Sequence, residues 1–131
     1  MSFSTEVAAR TLWQEARGEP LEGQKAVAHV IWNRLKDGRW GSSLASVCLW
    51  RAQFSGWYMP RDPNFKGACD LPDADKVLAE LRDVLNQARA EPDMTNGATH
   101  YYATYIDAPV WVQGATFCGQ IGHHKFYTGV K

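Results

Sequence analysis

Leu12 to Pro20 reads LWQEARGEP and places two carboxylates, Glu15 and Glu19, four residues apart. A carboxyl group on an apolar helix face loses solvation, which favours its protonated form near neutral pH. In that state a side chain can hand a proton to the leaving oxygen of a glycosidic bond. Glu15 fits this description, because it continues the stripe begun by Ala8 and Leu12. The plainer reading is an ion pair with Arg10 or Arg17 at the helix surface. Glu19 invites a scheme with two carboxylates, the second acting as nucleophile or base. Gly18 and Pro20 break the helix around it, however, so proximity to Glu15 does not follow from the spacing. Glu19 serves equally well as a support, accepting hydrogen bonds at the start of the next helix or holding Arg17 or Arg34.

Other polar groups give weaker signals. His100, His123, His124 and Cys118 include ligand types, but there is no HExxH and the cysteine spacing does not fit a structural zinc site, so no metal is expected. Adjacent histidines in a strand point to opposite faces, which argues against His123 and His124 acting together. A cysteine–histidine nucleophilic pair has no specific spacing to support it. In AQFSGW, Gln53 and Ser55 flank Phe54, which suits either a polar ligand held against an aromatic face or a core Phe with its neighbours turned outward. In THYYA, Tyr101 and Tyr102 cannot both face the core of a strand, so one of them lines a surface or groove.

The elements that must position these groups are mostly helical. A first helix is predicted from about Thr5 to Arg17, with Ser4 or Thr5 as cap, Glu6 in the first turn, and Glu15 in the last turn on the inward face. A second runs from about Leu21 to Lys36 with Val27, Val30, Ile31 and Leu35 as its buried stripe. Ser43 to Trp50 forms a short helix, and Arg51 to Asp70 reads as one long shaped loop. A further helix from Asp73 to about Ala90 repeats Leu78, Leu81, Leu85 and Ala88 at helical spacing. ATHYYAT has strand character and GQIGHHKFYTG that of a hairpin. Trp13, Trp32 and Trp40 are expected in the core or at its rim.

The chain has 131 residues and a formal net charge of zero. That suits one domain and lacks the basic footprint of a nucleic-acid binder. No stretch approaches the roughly 18 apolar residues of a membrane span, so no stable membrane insertion is expected. The start, MSFSTEVAAR, has no signal-peptide pattern, which predicts synthesis in the cytoplasm. Three cysteines without a CxxC pair read as reduced thiols. Six Trp, five Tyr and five Phe are many for this length and would suit sugar rings as well as a core.

Taken together, EARGEPLEGQKAVAHVIWNR (Glu15–Arg34), QFS, ATHYY, PVW and IGHHKFY resemble, in order, the blocks of the SleB/CwlJ family of spore-cortex-lytic cell wall hydrolases. The resemblance implies a mostly α (α+β), lysozyme-like fold with a small β element, residues 1–131 forming a single catalytic domain. It implies a lytic transglycosylase that cleaves the bond between muramic acid and glucosamine in peptidoglycan, with Glu15 as the catalytic acid. One glutamate then suffices, acting first as acid and then as base while the substrate's own hydroxyl attacks. Gln53, Ser55, Tyr101 and Tyr102 would line the sugar groove, with Arg17, Glu19 and His123 as supports. The family's usual Asn after the two tyrosines is Ala103 here, and His124 stands where many members carry another residue. The expected partner is the glycan strand, attacked by a monomer without cofactor. The protein would be held in the cytoplasm, as in a phage or prophage endolysin, until release to the wall. Alternatives are an amidase on the same polymer and a glycan-binding phage protein without catalysis.

Overall fold

The computed structural model describes residues 2–50, 54, 57 and 63–131. Helix α1 spans Phe3–Ala16 and starts two residues before the predicted Thr5, capped by Ser2, whose side chain accepts from Thr5 N at 3.2 Å. Ser4 is used differently: its Oγ accepts from Ala45 N at 3.4 Å and ties the two segments together. Each of these hydroxyls could satisfy a helix N–H, so the tertiary partner decided which one caps.

Helix α2 (Leu21–Asp37) follows Pro20 and ends where Gly38 turns left-handed at φ 85°, its N–H closing on Arg34 O at 3.2 Å. Helix α3 (Leu44–Leu49) is fixed at its start by Ser43 and Ser46, whose side chains accept from each other's backbone N–H.

The long loop expected over Arg51–Asp70 is corrected in its last part, because Pro63–Asp70 forms helix α4. Tertiary contacts account for this. A Cβ on Gly67 would stand 2.6 Å from Trp13 Cη2, so only glycine lets α4 lie this close to α1. Arg10 then reaches from α1 with Nη1 to the carbonyls of Ala68 at 2.5 Å and Leu71 at 2.8 Å, satisfying acceptors at the helix end. Helix α5 (Lys76–Ala90) starts later than Asp73, because Asp75 is the cap and accepts from Leu78 N at 2.9 Å. Asp73 receives Arg10 Nη2 instead, at 2.9 Å.

The apolar stripes of the helices meet in one cluster: Val7, Ala8 and Leu12 of α1, Val27 and Ile31 of α2, Val47 of α3, and Leu81, Val84 and Leu85 of α5. Leu35 is only half-buried at its edge, whereas Trp40 is buried and Trp32 donates its Nε1–H to Leu85 O at 2.9 Å. The three cysteines Cys48, Cys69 and Cys118 are free thiols.

The β element is an antiparallel sheet of β1 (His100–Ala103), β2 (Thr116–Ile121) and β3 (His124–Thr128), with β3 in the centre. The predicted hairpin is β2–β3, and Tyr101 stands opposite Phe126 in register. Phe126 is fully buried and docks the sheet on Ala26 and Val30 of α2, a burial worth about 1.5–3 kcal/mol. Asn33 and Arg34 secure the approach to β1. Asn33 Nδ2 donates to Ala98 O at 2.9 Å, and Arg34 Nε donates to Thr99 O at 2.6 Å. The strand bearing Tyr101 is thus held to the helix that follows the Glu15 turn.

Candidate active site

Glu15 lies in the last turn of α1, where the break at Gly18 leads one to expect it. Tyr101 donates its hydroxyl to Glu15 Oε1 at 2.6 Å. Burial, and then the charge and hydrogen bond of Glu15, hold that hydroxyl well above its ordinary range, so it stays a neutral donor. The arginines proposed as surface partners are engaged elsewhere. Arg10 pairs with Glu6 at 3.3 Å and Asp73 at 2.9 Å. Arg17 folds back onto Trp13 O at 2.8 Å, reaches Asn64 Oδ1 at 2.9 Å, and lies 3.9 Å over the Trp13 ring. It buttresses the turn through α1 itself.

Glu19 is a clasp. Its carboxylate accepts from His123 N at 3.0 Å and from His123 Nδ1 at 2.7 Å, and its side chain is only 8 % exposed. His124 Nδ1 is 3.2 Å away, close enough to pair as a charge, but it is not aligned for a hydrogen bond. The expectation that the two histidines diverge is therefore corrected: His123 sits in the turn and not in the strand, which lets both approach one carboxylate. Gly122 makes room, since its φ is 59° and a Cβ would lie 3.2 Å from Glu19 Oε1. Burial alone would raise the Glu19 pKa, but the two His123 hydrogen bonds and the charges of His124 and His123 outweigh it and hold it below the usual range. Burial holds His124 below its ordinary value against the pull of Glu19.

Between these groups lies a cleft of about 350 Å³, with the Gln14–Glu19 turn on one wall and Asn64, Tyr105, His123 and His124 across from it. Glu15, Arg17, Glu19 and His123 thus come together. Tyr101 stands behind Glu15, packed against both core clusters. Tyr102 is on the other face of the strand, where it stacks on Tyr127 at 5.8 Å and meets Trp111 at 6.0 Å, and it is not a wall of this cleft. Gln53 and Ser55 lie outside the described residues. Burial raises the Cys48 thiol to about 12, which makes it a poor nucleophile. Among the described residues no three His, Cys, Asp or Glu side chains gather as a metal site, and no helix is long and apolar enough to cross a membrane.

Three residues carry more than the sequence reading assigned them. Tyr105 is 82 % exposed at the cleft and has no periodic signal. Gln14, also at the cleft, is 7 % exposed, and neither atom of its amide has a hydrogen-bond partner among the described residues. Arg34 is 3 % exposed, and its signal was available: it follows Val27, Val30 and Ile31 on the apolar stripe of α2.

A helix-end glutamate held by a tyrosine from a small antiparallel sheet, on a mostly helical body, belongs to the lysozyme-like α+β class. Residues 18–127 match the model of the cell wall hydrolase family, and the chain belongs to that family. The matched stretch begins just after Glu15 and includes Glu19, Arg34, Tyr101 and His123. The chain is 30% identical over 118 residues to a spore cortex-lytic enzyme of Oceanobacillus iheyensis, covering 90% of this chain and 39% of that one. It is 28% identical over 118 residues to the corresponding enzyme of Bacillus subtilis, covering 90% of this chain and 35% of that one. It therefore spans well under half the length of these relatives. In fold it is similar to the catalytic domain of the germination-specific lytic transglycosylase SleB from Bacillus anthracis, with a TM-score of 0.77 at 23% identity over 98% of this chain and 97% of that one. The catalytic domain of the Bacillus cereus SleB protein gives a TM-score of 0.74 at 22% identity over 95% of this chain and 89% of that one.

Proposed function

We propose that residues 1–131 form a single catalytic domain that cleaves the bond between muramic acid and glucosamine in peptidoglycan as a lytic transglycosylase. The observation that carries this reading is Glu15, placed at a cleft wall by the end of α1 and oriented by the Tyr101 hydroxyl at 2.6 Å. With Tyr101 donating to Oε1, the transferable proton belongs on the other carboxyl oxygen. Glu15 gives that proton to the glycosidic oxygen as the bond to the anomeric carbon breaks. The resulting carboxylate then takes the proton from the substrate's own hydroxyl as that oxygen closes on the anomeric carbon. The two transfers balance and return Glu15 to its starting state. Glu19, tied up by His123, supports the turn and takes no proton. The family membership and the likeness to SleB catalytic domains favour this bond over others in the polymer.

The test is mass spectrometry of soluble products from purified peptidoglycan, comparing the wild type with Glu15→Gln. Anhydro-muramic ends from the wild type alone are expected. Full activity in a folded Glu15→Gln would remove Glu15 from the mechanism. Reducing ends would mean that water attacks instead, and freed stem peptides on intact glycan would mean an amidase.

A further inference from the structure

Arg34 is an unusual residue to find on the buried stripe of α2. A guanidinium stays charged at any ordinary pH, and burying it without compensation costs several kcal/mol. Some compensation is local. Nε donates to Thr99 O at 2.6 Å, and the cation lies 5.0 Å from the ring centroids of Trp40 and of Phe54. Nη1 meets no acceptor among the described residues. Among the described residues the acidic groups near enough to act on this cation are Tyr101, Cys48 and Glu15. Burial keeps two of them protonated, the Tyr101 hydroxyl well above its usual range and the Cys48 thiol at about 12. Only the Glu15 carboxyl is of a type that ionises in the working range of proteins. The covalent and hydrogen-bonded path agrees. Arg34 holds the backbone at Thr99, two residues before Tyr101, and Tyr101 holds Glu15.

We propose that Arg34 is a positioning residue for Glu15, a buried cation behind the Tyr101–Glu15 hydrogen bond that stabilises the carboxylate Glu15 becomes on giving up its proton. The proposal rests on the reading of Glu15 as acid and then base. When the proton passes to the leaving oxygen, the anion left behind forms within reach of a fixed, buried charge, which protein screens less than water would. The acid step gains, and the base step becomes correspondingly harder. Among the described residues the other charged or titratable groups on the cleft walls around Glu15 are Arg17, Glu19, Tyr105, His123 and His124, while Arg39 also acts on Arg34. Arg17 and His123 are exposed and screened by solvent, and burial disfavours the charged form of His124. Glu19, kept ionised by its clasp, opposes the Glu15 anion rather than favouring it, so none of these groups supplies the buried positive charge that Arg34 does.

The test is NMR titration of the Glu15 side-chain carboxyl, ¹³C-labelled, in the wild type, Arg34→Met and Arg34→Lys. Removing a cation disfavours the anion, so the midpoint in Arg34→Met is expected to rise by about one pH unit or more, about tenfold in proton affinity. Arg34→Lys keeps the charge and is expected to titrate close to the wild type. The alkaline limb of turnover against pH should move in the same direction. A midpoint unchanged in folded Arg34→Met overturns the proposal. If Arg34→Met alone does not fold, the double variant Arg34→Met/Glu15→Gln should regain folding, because it removes cation and carboxylate together; a double variant that is also unfolded makes Arg34 a packing residue only. The titration needs no turnover, so it can fail while the enzymatic reading stands, or succeed where that reading fails.

Discussion

The hydroxyl of Tyr101 and Oε1 of Glu15 lie 2.6 Å apart across 86 positions of sequence, joining the last turn of α1 to the first strand of the sheet. Tyr101 is itself wedged edge-on against His124, with ring centroids 4.9 Å apart, and tilted against Phe126 at 5.7 Å. The carboxyl at the cleft is therefore oriented by a side chain that the core holds in place, and the whole sheet must dock before the site exists.

Tyr101→Phe separates orientation from packing, because the ring stays and only the donor goes. A hydrogen bond to an ionisable carboxyl is worth about 1.5–3 kcal/mol, so kcat/KM should fall about ten- to a hundredfold. Far-UV circular dichroism should be unchanged. Wild-type turnover in this variant would mean that the bond does not orient Glu15.

The Glu19 clasp should show in the pH dependence of stability. Its carboxyl is held below its unfolded value near 4.5, which means the clasp contributes stability above that pH and loses it as the pH falls through the lower folded value. Glu19→Gln should be less stable than the wild type at pH 7 by about 1–3 kcal/mol, the range for losing charge-assisted hydrogen bonds in a covered site. Urea denaturation at pH 7 and at strongly acid pH checks this: the gap should close on acidification. A gap of the same size at both ends would show that charge is not what the clasp uses.

Gln14 offers a test of the opposite sign. Its amide is covered and has no hydrogen-bond partner among the described residues, so it contributes desolvation cost without return. Gln14→Met nearly conserves volume and should stabilise the fold by about 1 kcal/mol, read as a higher urea midpoint at unchanged m-value. A lower midpoint would show that the amide is satisfied in solution.

Much of this architecture was legible locally. The stripes of α2 and α5, the stop at Gly18, the hairpin around Gly122 and the inward place of Glu15 all follow from periods of 3.6 and 2 and from turn chemistry, which neighbouring residues impose on one another. Helix α4 was not legible, because its start and close approach depend on Trp13 and Arg10, far away in sequence.

The sequence by itself thus determined which groups could do chemistry and which helix end would present Glu15. Only the tertiary structure decided what surrounds that carboxyl: Tyr101 behind it, the buried charge of Arg34, and a neighbouring Glu19 withdrawn into a clasp with His123. The reason is one of range. Helical and strand patterns are set by contacts a few residues apart, whereas the state of a carboxyl depends on the charges, donors and solvent around it, and here these come from segments that meet only when the sheet closes onto α2.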